Sequence, residues 1–391
     1  MLSSDEEKKE IDEMFENESE EDLIEDEIAE SDRRLVTTAY DFIVRSLKDQ
    51  IADETIIVDA TWQRKYVWDD IKASKLIESL ILNVPIPVCY FAEEEKSGQY
   101  LVIDGQQRLW SIFRYLNNEF SLRGLITLGH LNKKRFHELD TKYQRLISTR
   151  AIRCIILTSE CHPELRFDVF ERLNYGSVPL NPQELRHCIY RGAFSDLLAK
   201  LVEDRTWLNL IGKKESDERL RDQELILRFL ALHFRLSKYK PSLKTFLNSF
   251  MRDHKRMSKK DETDYKALFD RTTSNLWKMF GENAFRRHVK KSGEESYDKN
   301  INKALFDLQM LVASHLEINC SDLKIAKIRD VFFHLMHDDK FIDLILRATD
   351  HRTRVVSRCE MLREKLIDNG IKMEELFEKI ESMSKLSVEA N

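Results

Sequence analysis

The residues of this 391-residue chain best equipped for chemistry stand together in Asp104-Gly105-Gln106-Gln107-Arg108. Ahead of them, Gln99 to Ile103 alternates like a strand; behind them, Leu109, Ile112, Phe113 and Leu116 recur at helical spacing up to Asn118. A strand that passes through one tight turn into a helix aims the helix's unpaired N–H groups and positive dipole end back at the turn. Gly105 permits a positive φ and a close backbone approach to a ligand. Such a turn suits a phosphate. Arg108 adds a planar bidentate donor, and Gln106 and Gln107 add amide donors without charge. Asp104 is the odd member, because a carboxylate repels a phosphate unless it holds a divalent cation or activates a water; it is the metal candidate. The same residues also allow a plainer role, in which Asp104 caps the helix through its side-chain oxygen.

Several elements must position this turn. Residues 37–55 predict a short helix with Ile43, Leu47 and Ile51 on one face, and residues 56–60 a strand. Asp69 and Asp70 open a helix over 69–82 with Ile71, Leu76, Ile77, Leu80 and Ile81 at core spacing, ended by Asn83 and Pro85. Val- and Ile-rich runs at 87–91, 99–103 and 151–157 predict strands of one small sheet. Beyond residue 193 the strand signal disappears and helical patterns follow one another to residue 384, beginning with 193–211 and 217–236. The fold class expected is α+β: a small mixed-sheet domain at 34–192, preceded by an acidic disordered leader at 1–33 and followed by an all-α domain at 193–391.

Composition narrows the class. Hydrophobic residues at 42%, with only ten glycines and six prolines, exclude a collagen-like or turn-rich all-β chain. The six cysteines are scattered without a C-x-x-C pair, as expected of reduced thiols, and no run approaches the ~18 apolar residues of a membrane span. A cytoplasmic protein without membrane contact is expected. The net charge of −6 is uneven: residues 1–32 carry 16 acidic residues against Lys8 and Lys9, leaving a basic remainder. An acidic tail of this kind either solubilises the chain or covers a nucleic-acid groove by imitating phosphates.

The string Ile103-Asp-Gly-Gln-Gln-Arg-Leu109 resembles the DGQQR signature of the GmrSD-type family, the N-terminal domain of modification-dependent restriction endonucleases, whose fold is similar to ParB and sulfiredoxin. Trp62-Gln63-Arg64-Lys65-Tyr66-Val67-Trp68 resembles the family's F-Q-R-x-Y-V-W, and Leu76 to Pro87 its L-I-E-S-I-L-L-G-I-P-I-P. Phe170 to Arg186, containing Asn174, Glu184 and Arg186, resembles F-x-x-L-N-x-G-G-x-x-L-x-x-x-E-L-R, with Ser177 in place of the second glycine and Trp62 in place of the usual Phe. With the helix at 221–232 as a fifth block, the resemblance covers residues 40–235.

The resemblance implies nucleoside triphosphate hydrolysis at the DGQQR turn, coupled to restriction of foreign DNA, with GTP or ATP and Mg2+ as cofactors. Asp104, Gln107 and Arg108 become the catalytic candidates; Gly105, Gln106, Gln63 and Arg64 become the nucleotide-binding ones. Asn174, Glu184 and Arg186 either close over the site or brace the domain. Two rival functions remain: a metal-dependent DNA nuclease using the same cleft, with Asp104 on the metal, and a non-catalytic nucleotide-gated adaptor that recruits a separate nuclease. Expected partners are DNA, a separate HNH-type nuclease or another defence protein, and further copies of the chain in an oligomer of undetermined number. The HNH motif itself is missing from the pattern. His334-Leu-Met-His337-Asp338-Asp339 places two histidines beside carboxylates but within a helical pattern, and basic clusters at 252–260, 286–291 and 352–358 are candidates for a DNA track. Arg108→Ala is expected to weaken nucleotide affinity while leaving the thermal midpoint nearly unchanged.

Overall fold

The computed structural model describes residues 35–58, 66, 68–94, 97–173, 180–240, 242–291, 294–317, 320–347 and 349–388. These fall into two compact units, within residues 35–189 and 190–388. The acidic leader, Gln63, Arg64 and Asn174 lie outside the described residues.

In the first unit a five-stranded mixed sheet runs in the order β1 (Thr37–Ile43), β5 (Ala151–Leu157), β3 (Cys89–Glu93), β4 (Tyr100–Asp104), β2 (Ile56–Ile57). The β1/β5 and β3/β4 pairs are antiparallel, and the β5/β3 and β4/β2 pairs are parallel. Residues 37–43, expected as the start of a helix, form the edge strand instead. They pair along their whole length with β5, from Thr37 opposite Leu157 to Ile43 opposite Ala151, and the β-branched and aromatic side chains of Thr-Thr-Ala-Tyr-Asp-Phe-Ile suit a pleated surface. Helix α1 (Val44–Ala52) begins only after them and buries Val44 and Leu47. The strand expected at 87–91 starts two residues later, because Pro87 has no N–H to give a ladder.

Helix α2 (Asp70–Leu82) has the ends its sequence announces: Asp69 Oδ1 accepts from the Lys72 N–H at 2.7 Å, and Asn83 closes it at φ 60°. Helix α3 (Gln106–Leu116) follows β4 directly. Together with α4 (Thr141–Ser148), α2 and α3 cover the sheet, enclosing Ile77, Leu80, Phe91, Val102, Leu109, Ile112, Tyr115, Ile147 and Ile156 in one apolar cluster. Helices α5 (Pro163–Leu173) and α6 (Pro182–Ile189) finish this unit.

The second unit is helical: α7 (Ala193–Leu201), α8 (Arg205–Ile211), α9 (Arg221–Arg235), α10 (Leu243–His254), α11 (Lys259–Phe280), α12 (Lys303–Ser314), α13 (Asp322–Leu335), α14 (Asp339–Leu346), α15 (Arg352–Asp368) and α16 (Glu374–Val388). The single helix expected over 193–211 is two, because the Asp204 side chain accepts from the Trp207 N–H and starts α8. Every residue of α12 after Lys303 is buried, and its Asp307 receives Arg228 at 2.6 and 2.8 Å and Arg358 at 3.2 Å. One feature departs from an all-α unit: β6 (His288–Lys291) and β7 (Glu294–Tyr297) form an antiparallel hairpin between α11 and α12. Among the described residues no helix is long and apolar enough to cross a membrane, and all six cysteines are unbridged.

Leu109 lies 1% exposed where α3 meets the sheet. Leu109→Ala is expected to lose about 2–5 kcal/mol of unfolding free energy in a urea titration, as a buried truncation that leaves a cavity. A loss below about 1 kcal/mol would show that α3 does not hold the core.

Candidate functional site

The turn owes its shape to an irregularity in β4. Tyr90 pairs with Asp104 and Phe91 with Val102, so Ile103 is an extra residue on β4, a bulge. The alternation expected for 99–103 breaks there: Leu101, Val102 and Ile103 are all buried in succession. Bulges re-aim the residues beside them, and here the bulge precedes Asp104. Gly105 then turns the chain at φ 99°. A Cβ at this position would stand 2.4 Å from Cys89 Sγ and 3.4 Å from an Arg108 guanidinium nitrogen, so glycine is required both for the dihedral and for space.

Helix α3 starts at this turn without a side-chain N-cap at Gly105 and without an acidic residue in its first turn. The plain capping role for Asp104 is therefore not the one taken. Its Oδ2 instead accepts from Arg108 at 2.7 Å, one helical turn on, while the carboxylate stays 48% exposed and the Arg108 side chain only 12%. Arg108 also donates to the Pro87 carbonyl and, at 3.4 Å, to that of Val88. It thus clamps the segment entering β3 to the first turn of α3, which bears against the expectation that Arg108→Ala leaves the thermal midpoint nearly unchanged. Cys89 lies beneath. Its thiol is lowered by a hydrogen bond with Cys154, directly opposite on β5, and by the Arg108 charge, against the effect of burial; that of Cys154 is raised by the same bond and by burial.

Gln107 is partly structural as well, since its Oε1 accepts from the Trp68 N–H at 3.3 Å. Nearby, the Tyr66 hydroxyl bonds Ser111 Oγ at 2.9 Å, and the Arg114 guanidinium lies 4.6 Å from the Tyr66 ring. The aromatic segment that follows Gln63 and Arg64 in sequence is therefore docked along α3. Gln106 sits in the first turn of α3 beside Gly105.

Glu184 and Arg186 are buried in α6. Glu184 Oε2 accepts from the Asn181 N–H at 2.6 Å while Asn181 Oδ1 accepts from the Gln183 and Glu184 N–H groups, each at 2.9 Å, a reciprocal cap of the helix start. Arg186 donates to Gln183 Oε1 at 3.3 Å and faces the Phe167 ring. These contacts fit bracing of the domain.

Among the described residues, no three His, Cys, Asp or Glu side chains converge as metal ligands. Mg2+ is commonly held by one or two carboxylates, with water and phosphate completing its shell, so a single carboxylate such as Asp104 could hold it. Asp104 suits that arrangement, being half exposed with Oδ2 alone engaged. The basic clusters of the helical unit are partly consumed internally. Arg286 is buried and donates to the Leu210 and Ile211 carbonyls at the end of α8, Arg287 pairs with Asp298, and Arg358 is buried on Asp307.

A mixed-sheet α+β domain with a glycine-turned junction between strand and helix, carrying an exposed carboxylate and a clamped arginine, is the class that the geometry defines. Residues 44–191 match the family model described as GmrSD restriction endonuclease, N-terminal domain, which is what this segment is similar to. Such a domain points to a component of restriction or phage defence. No curated protein and no solved structure matches the chain.

Gly105→Ala is expected to cost on the order of 1–3 kcal/mol from the positive φ alone, before the clash with Cys89 is added. Arg108→Ala is expected to lower the unfolding free energy by about 1–3 kcal/mol through the lost carbonyl bonds, the half-exposed ion pair adding little. Arg108→Lys should recover only part of this, because an ammonium cannot span both carbonyls and the carboxylate. Equal thermal midpoints for wild type and Arg108→Ala would show that the clamp is idle.

Proposed function

We propose that this protein is a nucleotide-binding, NTP-hydrolysing component of a DNA restriction or phage-defence system, working at the Asp104–Arg108 turn. The observation that carries the proposal is the start of α3. An acid-free, side-chain-uncapped helix N-terminus opens at a glycine too crowded for any Cβ, with a guanidinium one turn away. This combination favours a phosphate over a neutral ligand.

The terminal phosphoryl group docks against the first turn of α3, where backbone amides and the helix dipole meet its charge. Arg108 turns its guanidinium from Asp104 toward the phosphoryl oxygens and stabilises the charge that builds in the transition state. Asp104, released from that ion pair, orients the attacking water and presents its carboxylate to Mg2+. When bound, Mg2+ neutralises phosphate charge. Gln106 contributes an amide donor at the rim, while Gln107 holds the Trp68 segment in place. Gln63 and Arg64 are proposed contacts to the base or phosphates on the strength of the family resemblance, and DNA, a separate nuclease and self-association are the partners proposed with them.

The ion pair between Asp104 and Arg108 also favours a second function, the nucleotide-gated adaptor, because exchange of Asp104 for phosphate on Arg108 is a switch even without turnover. Radiolabelled GTP and ATP, with Mg2+ and with or without plasmid DNA, separate the alternatives. The expected result is phosphate release by the wild type that is lost in Asp104→Ala while nucleotide binding persists. Binding without turnover in the wild type would select the adaptor; nicking of plasmid without nucleotide would select a nuclease; and neither binding nor nicking would overturn all three.

A further inference from the structure

His337, singled out by sequence beside His334, finds its partner elsewhere in the helical unit. His288 Nδ1 on β6 lies 3.3 Å from His337 Nε2 in the turn after α13. His337 Nδ1 is 2.7 Å from the Phe333 carbonyl. A carbonyl only accepts, so Nδ1 carries the hydrogen and Nε2 is left with its lone pair facing His288.

The separation decides what the pair suits. It lies at the long end of hydrogen-bonding distance. Two nitrogens each about 2.0–2.1 Å from one tetrahedral ion stand about 3.3–3.4 Å apart. The bond from His337 Nδ1 to a backbone carbonyl is also the support commonly given to metal-bound imidazoles. Packing fixes both rings. His288 is buried against Tyr297 and Phe333, with ring centroids 4.9 Å from each, and its backbone N–H donates to Met336 Sδ at 3.4 Å. The His337 ring lies 4.5 Å from that of Phe333. His337 itself is exposed, which gives an ion its way in.

We propose that His288 Nδ1 and His337 Nε2 form a binding site for a transition-metal ion of the class that imidazole prefers, Zn2+ foremost, with water in the remaining positions. The ion ties the β6–β7 hairpin to the end of α13. His334 takes no part in the contact between His288 and His337, its own ring meeting the Asp330 carbonyl at 2.6 Å and the Phe333 ring.

The test is calorimetric titration of the untagged, metal-stripped full chain with ZnCl2, and with NiCl2 as a second probe, alongside thermal melts. One equivalent of Zn2+ should bind the wild type and raise its midpoint. Saturable binding should be lost in His288→Gln and in His337→Gln, and retained in His334→Gln. His337 is exposed, so its variant keeps the test valid if the buried His288→Gln fails to fold. Absence of binding to the wild type, or binding that survives His337→Gln, or binding lost with His334→Gln, would overturn the site.

Discussion

Everything at the candidate site depends on the absence of a side chain at residue 105. Cys89 Sγ occupies the place a Cβ would need, and the backbone takes a φ that most residues resist, so strand β4 can pass into α3 within a single residue. That short passage is what puts Asp104 and Arg108 one helical turn apart and face to face. It also aims the helix start, with its partial positive charge, at the same point.

The second constraint is competition for one guanidinium. Arg108 is held by a carboxylate and by two carbonyls of the segment before β3. In the proposed function an arriving phosphate would have to displace the carboxylate, which is half exposed and therefore weakly held, while the carbonyl contacts could persist. Binding would then change the state of Asp104 without disturbing the packing of α3 on the sheet. One arginine would serve both stability and ligand chemistry, and a substitution there would affect both.

Much of this architecture was legible in the residues. Helix 70–82 announced itself through Asp69 and Asn83, and the sequence of strand, glycine and helix at 99–116 was readable from the change in hydrophobic period. The edge strand 37–43 was not, because Ile43, Leu47 and Ile51 also fit a helical face and the strand is specified by its distant partner β5, with Ile43 facing Ala151. The hairpin at 288–297 was hidden by charge, its strands being short and rich in Lys and Glu. At the site, sequence singled out Asp104, Gly105 and Arg108 but missed Cys89 and the carbonyls of Pro87 and Val88, since neither a buried thiol nor a backbone oxygen leaves a local pattern. Likewise, the partner of His337 was 49 positions away in a strand that the pattern did not reveal.

A crystal structure of the full chain with Mg2+ and a non-hydrolysable GTP or ATP analogue tests the central claim most directly. The terminal phosphate is expected at the first turn of α3, with Arg108 turned from Asp104 onto a phosphate oxygen at about 2.7–2.9 Å. A nucleotide bound elsewhere, with the ion pair between Asp104 and Arg108 intact and the turn filled only by the protein's own side chains, would contradict it.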